Sequence, residues 1–496
     1  MSLRQLREKR RLARLAALER GAAAAGAVLP QGELADSGGA SHRAAPRVAG
    51  KKGPDSTKSK KFGKVREKKM ETVKTRKLAG QTVTANALSK EYDIEGGEVP
   101  PFRPMTEKTL ERLCSCLSWM KLATPEDYSK FRKTEGFACR VAFCPNCASF
   151  QSRRDGLKLG AMMDAMQDLR RRLGRERRGA GPGPRPKLVQ GLVSDGGGLS
   201  VQGCLARWFG PAAGKCKYSQ KAAEEGVEFA VLTLTTPNVR GGELKAEEKR
   251  FAKGFNNLID DWFRVEYEEY YLGYARKLEV TYNKQKTITQ QMWDGTGKYN
   301  DPGMWKYKRL GLKVGDRNPD YGTYNPHYHV LLAVTPGFFK FDEKKNEEVP
   351  AMSARELLRM WRLYMGDSEG KILHVKIQRA YKSEGGGGAA TAEISKYVAK
   401  DSDYNYSPSV FRTFYGALKG CKRLTMGGIF RTFHDLFKAD KLAGYLPVDD
   451  TDYKWEIEYS WLGKFYAELG RVELSPGRAA KIRGMKYSEA YDTEEF

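Results

Sequence analysis

The sequence predicts a mixed α+β chain. Three observations carry this: strand-like runs at 275–282 and 325–334, a helix-like run at 391–400, and a shift from unpatterned basic sequence to globular patterning along the chain. At 496 residues the chain has room for two or three domains. It carries 87 Lys and Arg against 61 Asp and Glu, a formal net charge of +26. That balance points to a polyanionic partner, nucleic acid before a membrane surface. No stretch approaches the ~20 apolar residues of a membrane span. An integral membrane protein is therefore excluded and no membrane partner is expected. The opening MSLRQLREKRRLARLAALER lacks the apolar core of a secretory signal, so a cytoplasmic location is expected. Eight Cys in a chain this long form no disulfide framework, which leaves reduced thiols or metal ligands.

Residues 1–95 read as a basic, largely disordered arm. Met1 to Gly80 holds 21 Lys and Arg against 7 Asp and Glu, more than half of the net charge. Few large apolar residues are available there to offset the entropy of ordering. Such an arm either solubilises the chain or tethers DNA non-specifically. Residues 110–165 form a Cys-rich segment. Residues 166–226, with RRRLGRERRGAGPGPRPK from Arg170 to Lys187, read as a basic Gly/Pro-rich linker or insertion. Globular patterning resumes near Val227 and continues to 405. The aromatic and charged alternation of Tyr453, Trp455, Ile457, Tyr459 and Trp461 marks 406–496 as a folded, mixed extension.

In the Cys-rich segment, Cys139-x4-Cys144-x2-Cys147 is a zinc half-site. A Cys-x2-Cys turn brings two thiolates to one tetrahedral ion, and Cys114 or Cys116 would complete the set with Cys139. The alternative is ordinary thiols in a turn. Cys204, Cys216 and Cys421 have no partner spacing.

Residues 325–334, NPHYHVLLAV, read as a strand with Pro326 tolerable at its start. Side chains alternate faces, so His327 and His329 share one face and Tyr328 takes the other. With only five His in the chain, a His-x-His pair is expected by chance roughly 0.05 times. Two imidazoles so placed can chelate a divalent cation. They can also be satisfied histidines at a sheet edge. A phosphate-handling metal site adds a hard oxygen ligand. Glu279, in the strand-like ARKLEVTY of 275–282, is the best candidate if a hairpin-like return sets that run beside the His strand. A solvent-facing glutamate is the plainer fate of such a residue. His42 lies in the arm, and His374 and His434 have no second ligand nearby in sequence.

Residues 391–400, TAEISKYVAK, read as a helix that Thr391 can cap, with Ile394 and Val398 as its apolar stripe. Glu393 and Tyr397 share a second face, with Lys400 one turn beyond. A phenol can attack a phosphodiester, a carboxylate can take a proton and an ammonium can offset developing charge. Taken alone, this helix reads as structural.

The ordered set resembles the HUH endonucleases, and more closely the one-tyrosine rolling-circle replication initiators of small bacterial plasmids. FAVLTLTTPN from Phe229 to Asn238 is similar to the family's first strand. LEVTYN from Leu278 to Asn283, the His327/His329 pair and EISKYVAKD from Glu393 to Asp401 follow in the family's order. The resemblance runs from about Cys116 to about Phe430. It implies an endonuclease domain over 227–405, built on a central antiparallel sheet with flanking helices. It implies Mg²⁺ or Mn²⁺ on His327, His329 and Glu279, with Tyr397 as nucleophile. Glu393 would activate water at termination, and Lys400 would lie near the phosphate. It favours Cys116 over Cys114 as a zinc ligand, because Trp119 and Met120 then match apolar residues that follow it. In the family two Arg closely follow the last Cys, whereas here Arg153 and Arg154 come later. The implied reaction nicks one strand of plasmid origin DNA, leaving a 5′-phosphotyrosyl link and a 3′-hydroxyl. A host helicase and polymerase would be the partners. A transposase or mobilisation relaxase shares this chemistry, and a non-catalytic zinc-dependent DNA-binding regulator would make the His pair and Tyr397 coincidental.

Overall fold

The computed structural model describes residues 57–88, 105–177, 200–296, 303–380 and 401–485, apart from 142, 344, 345 and 423. The chain is α+β, and its sheets are antiparallel. The larger sheet has five strands in the order β8-β3-β5-β4-β9: β3 (Glu228–Thr235), β4 (Tyr271–Tyr282), β5 (Tyr324–Val334), β8 (Val375–Arg379) and β9 (Leu424–Gly428). Its three central strands are rich in Val, Leu and aromatic residues, and both faces are covered.

One face packs against α6 (Leu244–Asn257) and α7 (Ala354–Met365). Tyr328 stacks on Phe251 with ring centroids 4.1 Å apart, and burial pushes its phenol up to about 12. The other face packs Val231, Ala275, Leu331 and Ala333 against α3 (Pro145–Arg177) and α8 (Ile429–Lys438). Gly428 starts the second of these helices at φ 60°. A Cβ there would collide with the Leu272 carbonyl, so only glycine lets β9 lie this close to β4.

The smaller sheet has the order β11-β10-β1-β2: β1 (Trp119–Thr124), β2 (Arg132–Gly136), β10 (Trp455–Trp461) and β11 (Tyr466–Glu473). It joins two segments that the sequence divides, the Cys-rich segment and the C-terminal extension. Met120 pairs with Tyr459 and Leu122 with Ile457. A short hairpin, β6 (Phe339–Asp342) with β7 (Glu347–Pro350), completes the strands.

The structure differs from two expectations. Thr57–Leu88, inside the basic arm, is one helix, α1. It lays Val73 on Met120, Leu122, Phe131, Ile457 and Tyr459 of the smaller sheet. Its buried stripe runs Val73, Lys77, Gly80, Val83, and the small and cationic members hide the helical period. Residues 1–56 and 89–104 lie outside the described residues. Within the expected linker, α3 continues to Arg177, and α4 (Val201–Phe209) and α5 (Lys217–Glu225) precede β3. Met166, Leu169 and Leu173 are buried at helical spacing beside and among the arginines that made 166–177 look like a linker. Residues 178–199 lie outside the described residues.

Candidate functional site

The register of the larger sheet decides which side chains meet. Glu279 of β4 lies directly opposite His327 of β5, and Lys277 lies opposite His329. Directly opposed residues share a face, and period 2 adds His329 to that of His327. Three ligand atoms converge. His329 Nε2 is 3.0 Å from Glu279 Oε2, and His327 Nε2 is 3.3 Å from the same oxygen. The two rings meet edge to face with centroids 4.9 Å apart. His327 Nδ1 donates to the Asn325 carbonyl at 3.3 Å, which leaves Nε2 as the ligand atom. Asn325 is fixed in turn by Asn238 after β3, whose Oδ1 accepts its amide at 2.6 Å.

Glu279 and His329 are buried and His327 is half-buried, so the cluster opens on one side. Burial alone would raise the Glu279 carboxyl. Hydrogen bonding to His327 and His329, and their charge, outweigh it and hold the carboxyl well below the usual carboxylate range. The donor set suits a hard or borderline divalent cation. Neighbouring ligands about 2.1 Å from an octahedral ion stand about 3.0 Å apart, close to the separations here.

The second cluster is Cys116, Cys139, Cys144 and Cys147. All four sulfurs lie within 4.8 Å of one another. Cys116–Cys147, Cys139–Cys147 and Cys144–Cys116 are 3.7, 3.5 and 3.5 Å apart. Those spacings are too long for a disulfide. They match the roughly 3.8 Å edge of a tetrahedron whose centre is about 2.3 Å from each sulfur. Arg140 and Val141 donate backbone N–H groups to Cys147 and Cys139, with Arg140 at φ 57° turning the knuckle. The Cys147 thiol is held low by its contacts with Cys116, Cys139 and Cys144. Those of Cys139 and Cys144 are pushed up, first by contact with Cys116 and then by burial. Four sulfur donors at tetrahedral spacing fit a zinc ion. Cys114 is exposed and faces Thr84 at 3.8 Å, outside the cluster.

Tyr397, Glu393 and Lys400 lie outside the described residues, which resume at Asp401. Two residues later, Asp403 accepts from Lys284 Nζ at 3.1 Å, just beyond the Glu279 end of β4. Sequence reasoning did not single out Lys277 and Asp155. Lys277 shares the Glu279 face and its Nζ is 3.9 Å from Asp155 on α3. The period-2 rule could have found Lys277, whereas no spacing rule links Asp155 to the strand.

Residues 215–466 match the family model described as Replication protein, Rep_1. The chain belongs to this replication protein family. Its relatives include a protein named Protein rep from Staphylococcus aureus, 25% identical over 302 residues, covering 61% of this chain and 86% of that protein. A Protein rep from Bacillus amyloliquefaciens is 22% identical over 388 residues, covering 74% and 84%. Against a Protein rep from Lactiplantibacillus plantarum the match is 25% over 245 residues, 47% of this chain and 63% of the relative. No solved structure matches.

In this replication protein the matched range contains Glu279, His327 and His329 and begins after all four clustered cysteines. Among the described residues, no helix is long and apolar enough to cross a membrane.

Proposed function

We propose that this replication protein initiates rolling-circle replication of a plasmid by nicking one strand of its origin. The supporting observation is the convergence of Glu279, His327 and His329 at one end of the larger sheet, with the Lys284–Asp403 contact just beyond the end of β4. Tyr397, the proposed nucleophile, precedes Asp401 by four residues in sequence. The net charge of +26 supports a polyanionic substrate.

A Mg²⁺ or Mn²⁺ held by Glu279, His327 and His329 would supply Lewis-acid stabilisation to a phosphodiester. The Tyr397 phenolic oxygen attacks phosphorus. A P–O bond to Tyr397 forms as the phenol gives up its proton, and the bond to the 3′ oxygen breaks as that oxygen takes up a proton, leaving a 5′-phosphotyrosyl link and a 3′-hydroxyl as primer. Lys400 offsets charge on the phosphate, and Glu393 takes a proton from the water that ends the cycle. Origin DNA is the direct partner, with a host helicase and polymerase acting on the primed template. A zinc ion on Cys116, Cys139, Cys144 and Cys147 would serve structure.

The test is a denaturing gel of the purified protein with labelled single-stranded origin DNA and Mn²⁺. Label retained on the wild-type polypeptide and absent from Tyr397→Phe is expected. An adduct formed by Tyr397→Phe would remove Tyr397 from this role. For Glu393→Ala, nicking should persist while termination fails. Equal loss of both would contradict the assignment of Glu393 to termination.

A further inference from the structure

Helix α3 carries Cys147 in its first turn and Asp155 eight residues later, about 12 Å along its axis. Asp155 is 2% exposed. Its Oδ1 accepts from Gln151 Nε2 at 2.9 Å and from Lys158 Nζ at 3.0 Å, and its Oδ2 lies 3.9 Å from Lys277 Nζ. Lys277 is 3% exposed, sits across the ladder from His329 and is two residues from Glu279 on the same face. A buried ammonium beside a site for a divalent cation repels that cation, and the repulsion is strong where water is excluded. A carboxylate close to the ammonium offsets part of that repulsion.

We propose that Asp155 is a positioning residue: it draws the Lys277 ammonium toward α3 and offsets part of its charge, and so keeps the Glu279–His327–His329 face receptive to a divalent cation. The helix that begins at the cysteine cluster thereby sets the electrostatics of the sheet site. This inference rests on the metal reading of that site.

The experiment is a Mn²⁺ titration of the zinc-loaded full-length chain without DNA, followed by the electron paramagnetic resonance signal of free Mn²⁺. The variants are D155N, K277M, D155N/K277M and H329A. Removing a neighbour that tunes a metal site typically weakens affinity 10–100-fold. D155N is therefore expected to bind Mn²⁺ at least tenfold more weakly than wild type. K277M should bind at least as tightly as wild type, and D155N/K277M should recover most of the loss, because removing the ammonium removes the need for its partner. A purely packing role would leave the double variant as weak as D155N or weaker, and that result overturns the proposal. So does D155N with wild-type affinity, or K277M weakened tenfold; K277M keeps the test informative should D155N fold poorly. Wild-type binding lost in H329A supports the metal reading separately. A wild type that binds no Mn²⁺ sinks both.

Discussion

The two candidate cation sites of this protein are built in opposite ways. Three of the four cysteines fall within nine residues, on a knuckle whose backbone N–H groups already point at sulfur. The triad is assembled from two strands, with Glu279 and His327 brought opposite each other only by the ladder between β4 and β5. The cysteine site is closed, with four soft donors at tetrahedral spacing. The triad offers three donors, which leaves a six-coordinate cation further positions for phosphate oxygens or water. A closed site holds structure together, and an open one can do chemistry. The family match divides the chain along the same line, since it covers the triad and starts after the cysteines.

If that contrast is right, damage to the two sites should show in different measurements. The largest effect belongs to the cysteines. Cys144→Ser should lower zinc content from one per chain toward zero, read by atomic emission. It should forfeit a metal-binding free energy of order 10 kcal/mol. Hydrogen exchange should then rise in α1, whose Val83 shares a core with Cys116, Cys139 and Cys144, and in the smaller sheet, whose Tyr466 donates to the Leu117 carbonyl next to Cys116, while β3, β4 and β5 stay protected. Uniform loss of protection would mean that the two parts fold as one unit.

The mirror experiment is His327→Ala/His329→Ala. Mn²⁺-dependent nicking should fall by about 10³-fold or more, as expected when several kcal/mol of Lewis-acid stabilisation are lost. Zinc content and melting temperature should be retained. Single-strand cleavage measured beside a thermal melt checks both halves.

The triad was largely legible in the sequence, and the reason is local. A strand's period of 2 is geometric, and His is rare in this chain, so His327 and His329 announce a shared face. Glu279 needed one further assumption, that 275–282 pairs with the His strand, and the ladder has that pairing. Long-range features were not legible. Nothing near Met120 signals that its partner is Tyr459, more than 300 residues away. Helix α1 was hidden because its buried stripe includes Lys77, whose ammonium donates to the Cys114 and Cys116 carbonyls in place of water. A buried lysine reads as surface until its acceptors are known.

A smaller effect probes how the C-terminal extension is tied to the cysteine module. Asp449 accepts from Lys130 at 3.0 Å and Tyr453 at 2.9 Å, and is paired with Arg132. Burial would raise its carboxyl, but hydrogen bonds from Thr451, Lys130 and Tyr453 hold it well below the usual carboxylate range. A depressed carboxyl contributes stability above its unfolded value of about 3.9, and that stability is lost as pH falls through the folded value. Asp449→Asn should therefore destabilise by about 3 kcal/mol at pH 7. The gap to wild type, followed by thermal melts, should narrow below about pH 4. A gap that stays constant into acid would remove Asp449's charge from the account.

The smallest effect is the sharpest test of how the cysteine site is composed. Cys114 and Cys116 are two residues apart at the end of α2 (Glu107–Ser115), and by sequence spacing either could have been the fourth ligand. The fold separates them: Cys116 is buried with its sulfur 3.5 Å from that of Cys144, whereas Cys114 faces outward toward Thr84. Cys114→Ser should thus leave one zinc per chain and shift stability by no more than about 0.5 kcal/mol, the ordinary scale of a surface change. Cys116→Ser should behave like Cys144→Ser. Competition with a chromogenic chelator resolves the pair, because a site of three thiolates releases its ion faster than one of four. Faster release from Cys114→Ser than from Cys116→Ser would mean that the knuckle closes on the other cysteine.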